Sequence, residues 1–135
     1  MLTKLRIKSF KRFDEAEIEL GGAVVFIGPN NSGKTSALQA LALWDLGVKA
    51  WSARRQGSTA QKRSGVTINR RDLIAMPVPD TDLLWHALST RSVRRQDGKP
   101  ATQNVRIEIE VAGETEGKPW ECGMEFDYAN PESIY

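Results

Sequence analysis

Apolar and polar positions alternate along the first ten residues: Leu5, Ile7 and Ser9 fall on one side, Lys4, Arg6 and Lys8 on the other. A period of two predicts a half-buried strand over 2–10 with a basic outer face. After a connection at 11–15, residues 16–20 alternate again, now with Glu17 and Glu19 outward, and Gly21-Gly22 ends the strand as a turn. Opposite charges on the two outer faces favour antiparallel pairing of these strands. The unbroken apolar run 24–27 predicts a third, buried strand. From Ser36 to Leu46 the period lengthens, with Leu38, Leu41, Ala42 and Leu46 at helical spacing, and Gly47 is the expected helix stop. Trp44 on that helix reads as core by base rate, with a partner contact as the other option.

The middle of the chain is less periodic. Residues 47–69 read as a long loop, and no acid occurs between Asp45 and Asp72 while Lys49, Arg54, Arg55, Lys62, Arg63, Arg70 and Arg71 do. Such a segment either tracks a nucleic-acid backbone, with Trp51 as a stacking ring, or is a solvated surface loop. Asp80-Thr81 reads as a cap for a short helix carrying Leu83, Leu84, Ala87 and Leu88, and residues 91–100 read as a second basic loop. His86, the single histidine, reads as a surface or packing residue. Alternation returns at the end. Val105, Ile107, Ile109 and Val111, then Trp120, Cys122, Met124, Phe126 and Tyr128, form the apolar sides of a hairpin whose turn lies within 113–119.

Composition narrows the class. A chain of 135 residues with 40% hydrophobic and 27% charged residues is one soluble globular domain's worth. Its one cysteine, Cys122, allows no internal disulfide and lies on the apolar side of its strand, where a small buried side chain is expected. The N-terminus lacks a signal-peptide core and no run reaches membrane-spanning length, so a cytoplasmic protein with no membrane partner is expected. The net charge of +2 excludes nothing by itself.

The chemistry sits between the third strand and the helix. Gly28-Pro29-Asn30-Asn31-Ser32-Gly33-Lys34-Thr35 fits the Gly-x-x-x-x-Gly-Lys-Thr phosphate loop, in the strand-before, helix-after context that the motif requires. Gly28 and Gly33 allow the backbone to curl so that successive N–H groups point at a phosphate. The helix opening at Lys34, with Thr35 and Ser36 in its first turn, adds unpaired N–H groups and a positive dipole end. Lys34 is the expected contact to the β- and γ-phosphates, and the Thr35 hydroxyl is the expected Mg²⁺ ligand. The expected cofactors are therefore ATP and Mg²⁺.

These residues carry a resemblance. The opening Leu-Arg-Ile-Lys-Ser-Phe-Lys-Arg-Phe, the acid-faced strand, Gly-Pro-Asn-Asn-Ser-Gly-Lys-Thr and Ala-Leu-Gln-Ala-Leu resemble the N-terminal lobe of ABC-type ATPases. The nearest pattern is the chromosome-maintenance and repair branch: RecF, the SMC proteins and the OLD (overcoming-lysogenization-defect) nucleases. The resemblance covers about the first third of the chain. It implies an α/β P-loop NTPase fold (α+β in this stretch), a partial ABC-ATPase head with an antiparallel β subdomain. On that reading 1–135 is the N-terminal part of one ATPase domain: strands, loop and helix at 1–46, basic loops and a short helix at 47–100, and a β-hairpin at 101–135. It also implies adenine contacts between the first two strands, with Arg12 and Phe13 the candidates by position. Phe13 packing under the sheet edge is the equal alternative. The implied partners are the remainder of the ATPase domain or a partner subunit, a nucleotide-dependent homodimer in a longer parent protein, and DNA.

Hydrolysis by this fold needs an acid at the end of an apolar strand to hold Mg²⁺ and position water. No apolar run followed by Asp-Glu occurs, and no Leu-Ser-Gly-Gly-type signature; Leu88-Ser89-Thr90-Arg91 lacks the glycines. None of Gln39, Gln56, Gln61, Gln96 and Gln103 is assignable as the Mg²⁺-contacting glutamine. The chain alone is thus expected to bind ATP without turning it over. Two rivals remain: a small P-loop kinase, with Arg91, Arg94 and Arg95 as lid residues, and a non-hydrolysing nucleotide- or DNA-binding module.

Overall fold

A computed structural model describes residues 2–11, 13–20, 34–55, 65–74, 76–88, 90–96 and 98–135. The expected turn at Gly21-Gly22, the strand at 24–27, the loop from Gly28 to Gly33, and Arg12 lie outside the described residues, as do the side chains of Lys34 and Thr35.

Strand β1 (Leu2–Phe10) buries Leu5, Ile7 and Phe10 completely and turns Arg6 and Lys8 to solvent. Strand β2 (Phe13–Glu19) pairs with it antiparallel, setting Lys4 opposite Glu19, Arg6 opposite Glu17 and Lys8 opposite Glu15. The charge pattern foretold this pairing. Lys4 Nζ lies 3.2 Å from Glu17, and Arg6 reaches both Glu17 at 3.4 Å and Glu110 at 3.6 Å. These pairs are exposed and screened by solvent, so they select register more than they add stability. β2 begins three residues earlier than expected because Phe13 pairs with Phe10 across a tight turn.

The C-terminal hairpin joins the same sheet. Strands β6 (Ile107–Thr115) and β7 (Lys118–Phe126) pair through a turn at Glu116 and Gly117, both at positive φ (53° and 77°). β6 then pairs antiparallel with β1, giving the order β2-β1-β6-β7. Ile107, Ile109 and Val111 close the inner face. A small second sheet combines β3 (Ile68–Asn69), β8 (Tyr128–Asn130) and β9 (Ser133–Ile134) in the order β3-β9-β8. Every strand pair among the described residues is antiparallel, in a mixed α/β structure.

Three expectations are corrected. The helix does not stop at Gly47: α1 runs Lys34–Arg55. Gly47 is instead a packing position, since a Cβ there would meet the Phe126 ring at 2.9 Å. The helix also seats itself on its small residues. Ala37, Ala40, Leu43 and Gly47 are buried, whereas Leu38, placed on the apolar stripe by spacing, is 52% exposed. Overpacking against the Phe126 ring costs about 1–3 kcal/mol and alanine's helix preference returns roughly 1 kcal/mol, so Gly47→Ala should destabilise by up to about 2 kcal/mol net. Urea denaturation monitored by circular dichroism reads the sign directly.

The second correction concerns 81–88, which forms two 3₁₀ turns, Thr81–Leu84 and His86–Leu88, in place of one helix. The Asp80 side chain does cap the first turn, accepting from the Asp82 N–H at 3.1 Å. Trp85 between the turns is extended, bridges to Phe10, and is buried with its Nε1–H donating to the Val105 carbonyl at 2.6 Å. Burying that indole outweighs helical propensity, and Leu88 is left 55% exposed. The third correction is at 91–100. Strands β4 (Arg91–Gln96) and β5 (Lys99–Asn104) form a hairpin, with Gln96 opposite Lys99 and Gly98 at φ 75°. Asp97-Gly98 is a two-residue hairpin signal that the charge run obscured.

Candidate functional site

α1 opens at Lys34, so Lys34, Thr35 and Ser36 form its first turn. Buried Ala37 and Ala40 let this end lie close to its neighbours; Ser36 is half-buried. One turn beyond position 35 sits Gln39, and its Oε1 accepts a hydrogen bond from Lys11 Nζ. Lys11 lies in the β1–β2 turn at φ 50°. The β1–β2 connection at Lys11, just before Phe13 opens β2, is thereby tied to the N-terminal half of α1.

The 81–88 segment holds this turn from the other side. The Lys11 N–H donates to the Leu84 carbonyl at 2.8 Å, and His86 Nδ1 donates to the Lys11 carbonyl at 2.9 Å. His86 thus has the packing role expected of it. Partial burial holds the Lys11 ammonium below its ordinary lysine pKa. A charge already partly desolvated responds strongly to a nearby anion, because the screening that weakens surface pairs is reduced there.

Phe13 is half-buried at the start of β2, opposite fully buried Phe10. Lys11 and Gln39 were missed as members of this cluster. Lys11 read only as a connection, and Gln39 as one glutamine among five. The available signal was Gln39's place four residues after Thr35, one turn along the same helix.

The Mg²⁺ expectation can be set against the donors present. No group of three or more His, Cys, Asp or Glu side chains that could hold a metal occurs among the described residues.

The basic tract at 47–71 divides. Lys49, Trp51 and Arg54 belong to α1, and Lys49 pairs with Asp45 at 2.7 Å, one turn earlier. Arg70 pairs with Glu132 at 3.1 Å. Exposed Arg54 and Arg71 remain as outward cations, while 56–64 lies outside the described residues. Trp44, expected in the core, is half-buried, donates to the Cys122 carbonyl at 3.0 Å and stacks on Trp120 at 6.5 Å. Cys122 is half-buried too. No helix among the described residues is long and apolar enough to cross a membrane.

Residues 1–46 match the family model described as AAA ATPase domain, which spans about a third of the chain. No curated protein matches the chain. The match supports a nucleotide-binding, ATPase-like P-loop lobe in this stretch, with ATP and usually Mg²⁺ as the implied ligands. It ends at Leu46, so it takes in β1, β2, the phosphate-loop motif and the first half of α1.

Proposed function

We propose that the chain is the ATP-binding lobe of an ABC-type ATPase of the RecF/SMC/OLD kind, serving DNA maintenance or phage defence. The observation that carries this reading is the phosphate-loop sequence Gly28–Thr35, which leads directly into a helix beginning at Lys34. The backbone N–H groups of the Gly28–Gly33 loop, Pro29 having none, would wrap the phosphates, with Lys34 neutralising the β- and γ-phosphates and Thr35 holding one side of Mg²⁺. Arg12 and Phe13, which follow the Lys11 connection fastened to α1 through Gln39, supply the adenine contacts. This chain binds; hydrolysis belongs to an acid-bearing strand and a signature loop contributed elsewhere in a longer ATPase, across a nucleotide-dependent homodimer. Among the described residues, exposed Arg54 and Arg71 are cations of the basic tract that would face DNA, together with Arg55, Lys62 and Arg63 of the same tract.

The reading separates two kinds of recognition, and a thermal-shift comparison tests both. A ligand that binds only the folded chain stabilises it by RT ln(1 + [L]/Kd), about 2.7 kcal/mol at a hundredfold excess over Kd. Mg-ATP should raise the melting temperature, and Mg-tripolyphosphate, which lacks adenosine, should raise it less. Equal shifts would remove Arg12 and Phe13 from the site. No shift with either ligand would contradict the lobe's function altogether.

A further inference from the structure

We propose that the hairpin of β4 and β5 is a DNA-binding ribbon that enters the major groove of a duplex. The inference deepens the DNA role proposed above and rests on it. Charge singles the hairpin out. Residues 91–104 hold Arg91, Arg94, Arg95 and Lys99 against a single acid, Asp97. The other polar positions in the strands are Ser92, Gln96, Thr102, Gln103 and Asn104, residue types that hydrogen-bond phosphates and base edges.

The strand register distributes these cations over both faces. Arg91 stands opposite Asn104, Arg94 opposite Ala101, Arg95 opposite Pro100 and Gln96 opposite Lys99. Opposed residues share a face, and neighbours along a strand alternate between faces. Arg91 and Arg95 therefore belong to one face, and Arg94 and Lys99 to the other. Neither face is an apolar one, since Val93 is the single branched aliphatic residue in the two strands. β6, which follows in the chain, has the opposite pattern, with Ile107, Ile109 and Val111 buried on one side. A hairpin destined to be covered by polypeptide, this chain's own continuation included, would need such a side. Pro100 has no N–H, a mark of an edge strand that does not extend a sheet.

A ribbon that is cationic on both faces suits a cleft with anionic walls on both sides. The major groove of B-form DNA is such a cleft and, at about 12 Å across, admits a two-stranded ribbon, whereas the major groove of duplex RNA is too narrow. The fold presents the hairpin by its base. Among the described residues its strands pair only with each other. The stem is fixed where the Val105 N–H donates to the Thr90 carbonyl at 2.9 Å and buried Trp85 donates to the Val105 carbonyl. Gly98, at the far end, is exposed. An isolated two-stranded hairpin is marginal in water, so groove walls that hold both faces would stabilise the ribbon as they bind it.

The test titrates the 135-residue chain into a short labelled DNA duplex, followed by fluorescence anisotropy over a series of salt concentrations. The combined variant Arg94→Gln, Arg95→Gln, Lys99→Gln, checked for folding by circular dichroism, should bind at least about tenfold more weakly. Its plot of log K against log salt should be flatter by about two to three units. In the wild type, which needs no variant to fold, amide hydrogen exchange within 91–104 should slow when the duplex is added. An RNA duplex of the same length and polyglutamate should both bind more weakly than DNA. An unchanged affinity and slope in the folded variant, or DNA binding without protection of 91–104, overturns the hairpin's role and leaves the DNA role standing. Equal binding of the RNA duplex removes the groove, and equal binding of polyglutamate assigns the hairpin to an acidic polypeptide; either overturns the proposal. Absence of DNA binding by the folded wild type overturns the DNA role and the hairpin with it, while the nucleotide site is tested separately by Mg-ATP.

Discussion

Trp85→Ala should cost about 3–5 kcal/mol of stability, the range for deleting a buried aromatic side chain. The indole is 1% exposed, meets Tyr128 edge-on at a centroid distance of 5.9 Å, and donates to the Val105 carbonyl at 2.6 Å. The substitution removes apolar contact, opens a cavity and strips that carbonyl of its donor. A domain of this size has roughly 5–15 kcal/mol to lose, so the variant should be marginal at room temperature. Trp85→Phe keeps an aromatic ring but loses the N–H and part of the bicyclic ring, and should cost less than Trp85→Ala, about 1–3 kcal/mol. The consequence reaches the proposed site, because Leu84 and His86 on either side of Trp85 hold the Lys11 backbone. Equilibrium urea unfolding measures the loss. A Trp85→Ala variant within about 1 kcal/mol of the wild type would show that the indole is peripheral, contrary to its place among Phe10 of β1, Val105 and Tyr128 of the second sheet.

Which parts of this architecture were legible in the sequence follows from which contacts are local. β1, β2, β6 and β7 could be read because one face of their sheet is buried and the other wet, so alternation marks each strand; the charges of Lys4, Arg6, Glu17 and Glu19 even gave a pairing. The pairing of β1 with β6 joins residues about a hundred positions apart and left no local trace. Gly47 was misread because a glycine that ends a helix and one that admits an aromatic ring from another strand look alike in one dimension. The single helix expected over 81–88 was misread for a related reason: its residues favour a helix, and the burial of Trp85 against Phe10 and Val105 breaks it. The phosphate-loop motif shows the reverse case. Its meaning lies in residue types at fixed spacing, because glycine, lysine and hydroxyl each have a separate task toward phosphate. Arg12 and Phe13 carried only a positional argument. The Lys11–Gln39 bond that ties the preceding connection to α1 depends on packing that no spacing displays.

Lys34→Ala is the other large effect. A charge-assisted hydrogen bond from lysine to a phosphate oxygen contributes about 1.5–3 kcal/mol, so its loss should weaken Mg-ATP by roughly ten- to a hundredfold. Lys34 lies in the first turn of α1, and the helix is seated by Ala37, Ala40, Leu43 and Gly47 further along. The substitution should therefore leave the fold intact, with an unfolding midpoint close to that of the wild type. Binding falls while stability holds, a combination that distinguishes a ligand contact from a structural residue.

The measurement that bears most directly on this account is a calorimetric titration of Mg-ATP into the wild-type chain and into Lys34→Ala, each first shown to be folded by circular dichroism. The account predicts one site per chain in the wild type and a dissociation constant ten- to a hundredfold larger in the variant. Equal affinity in the two proteins, or no binding by the folded wild type, would contradict the assignment of Gly28–Ser36 as a nucleotide site.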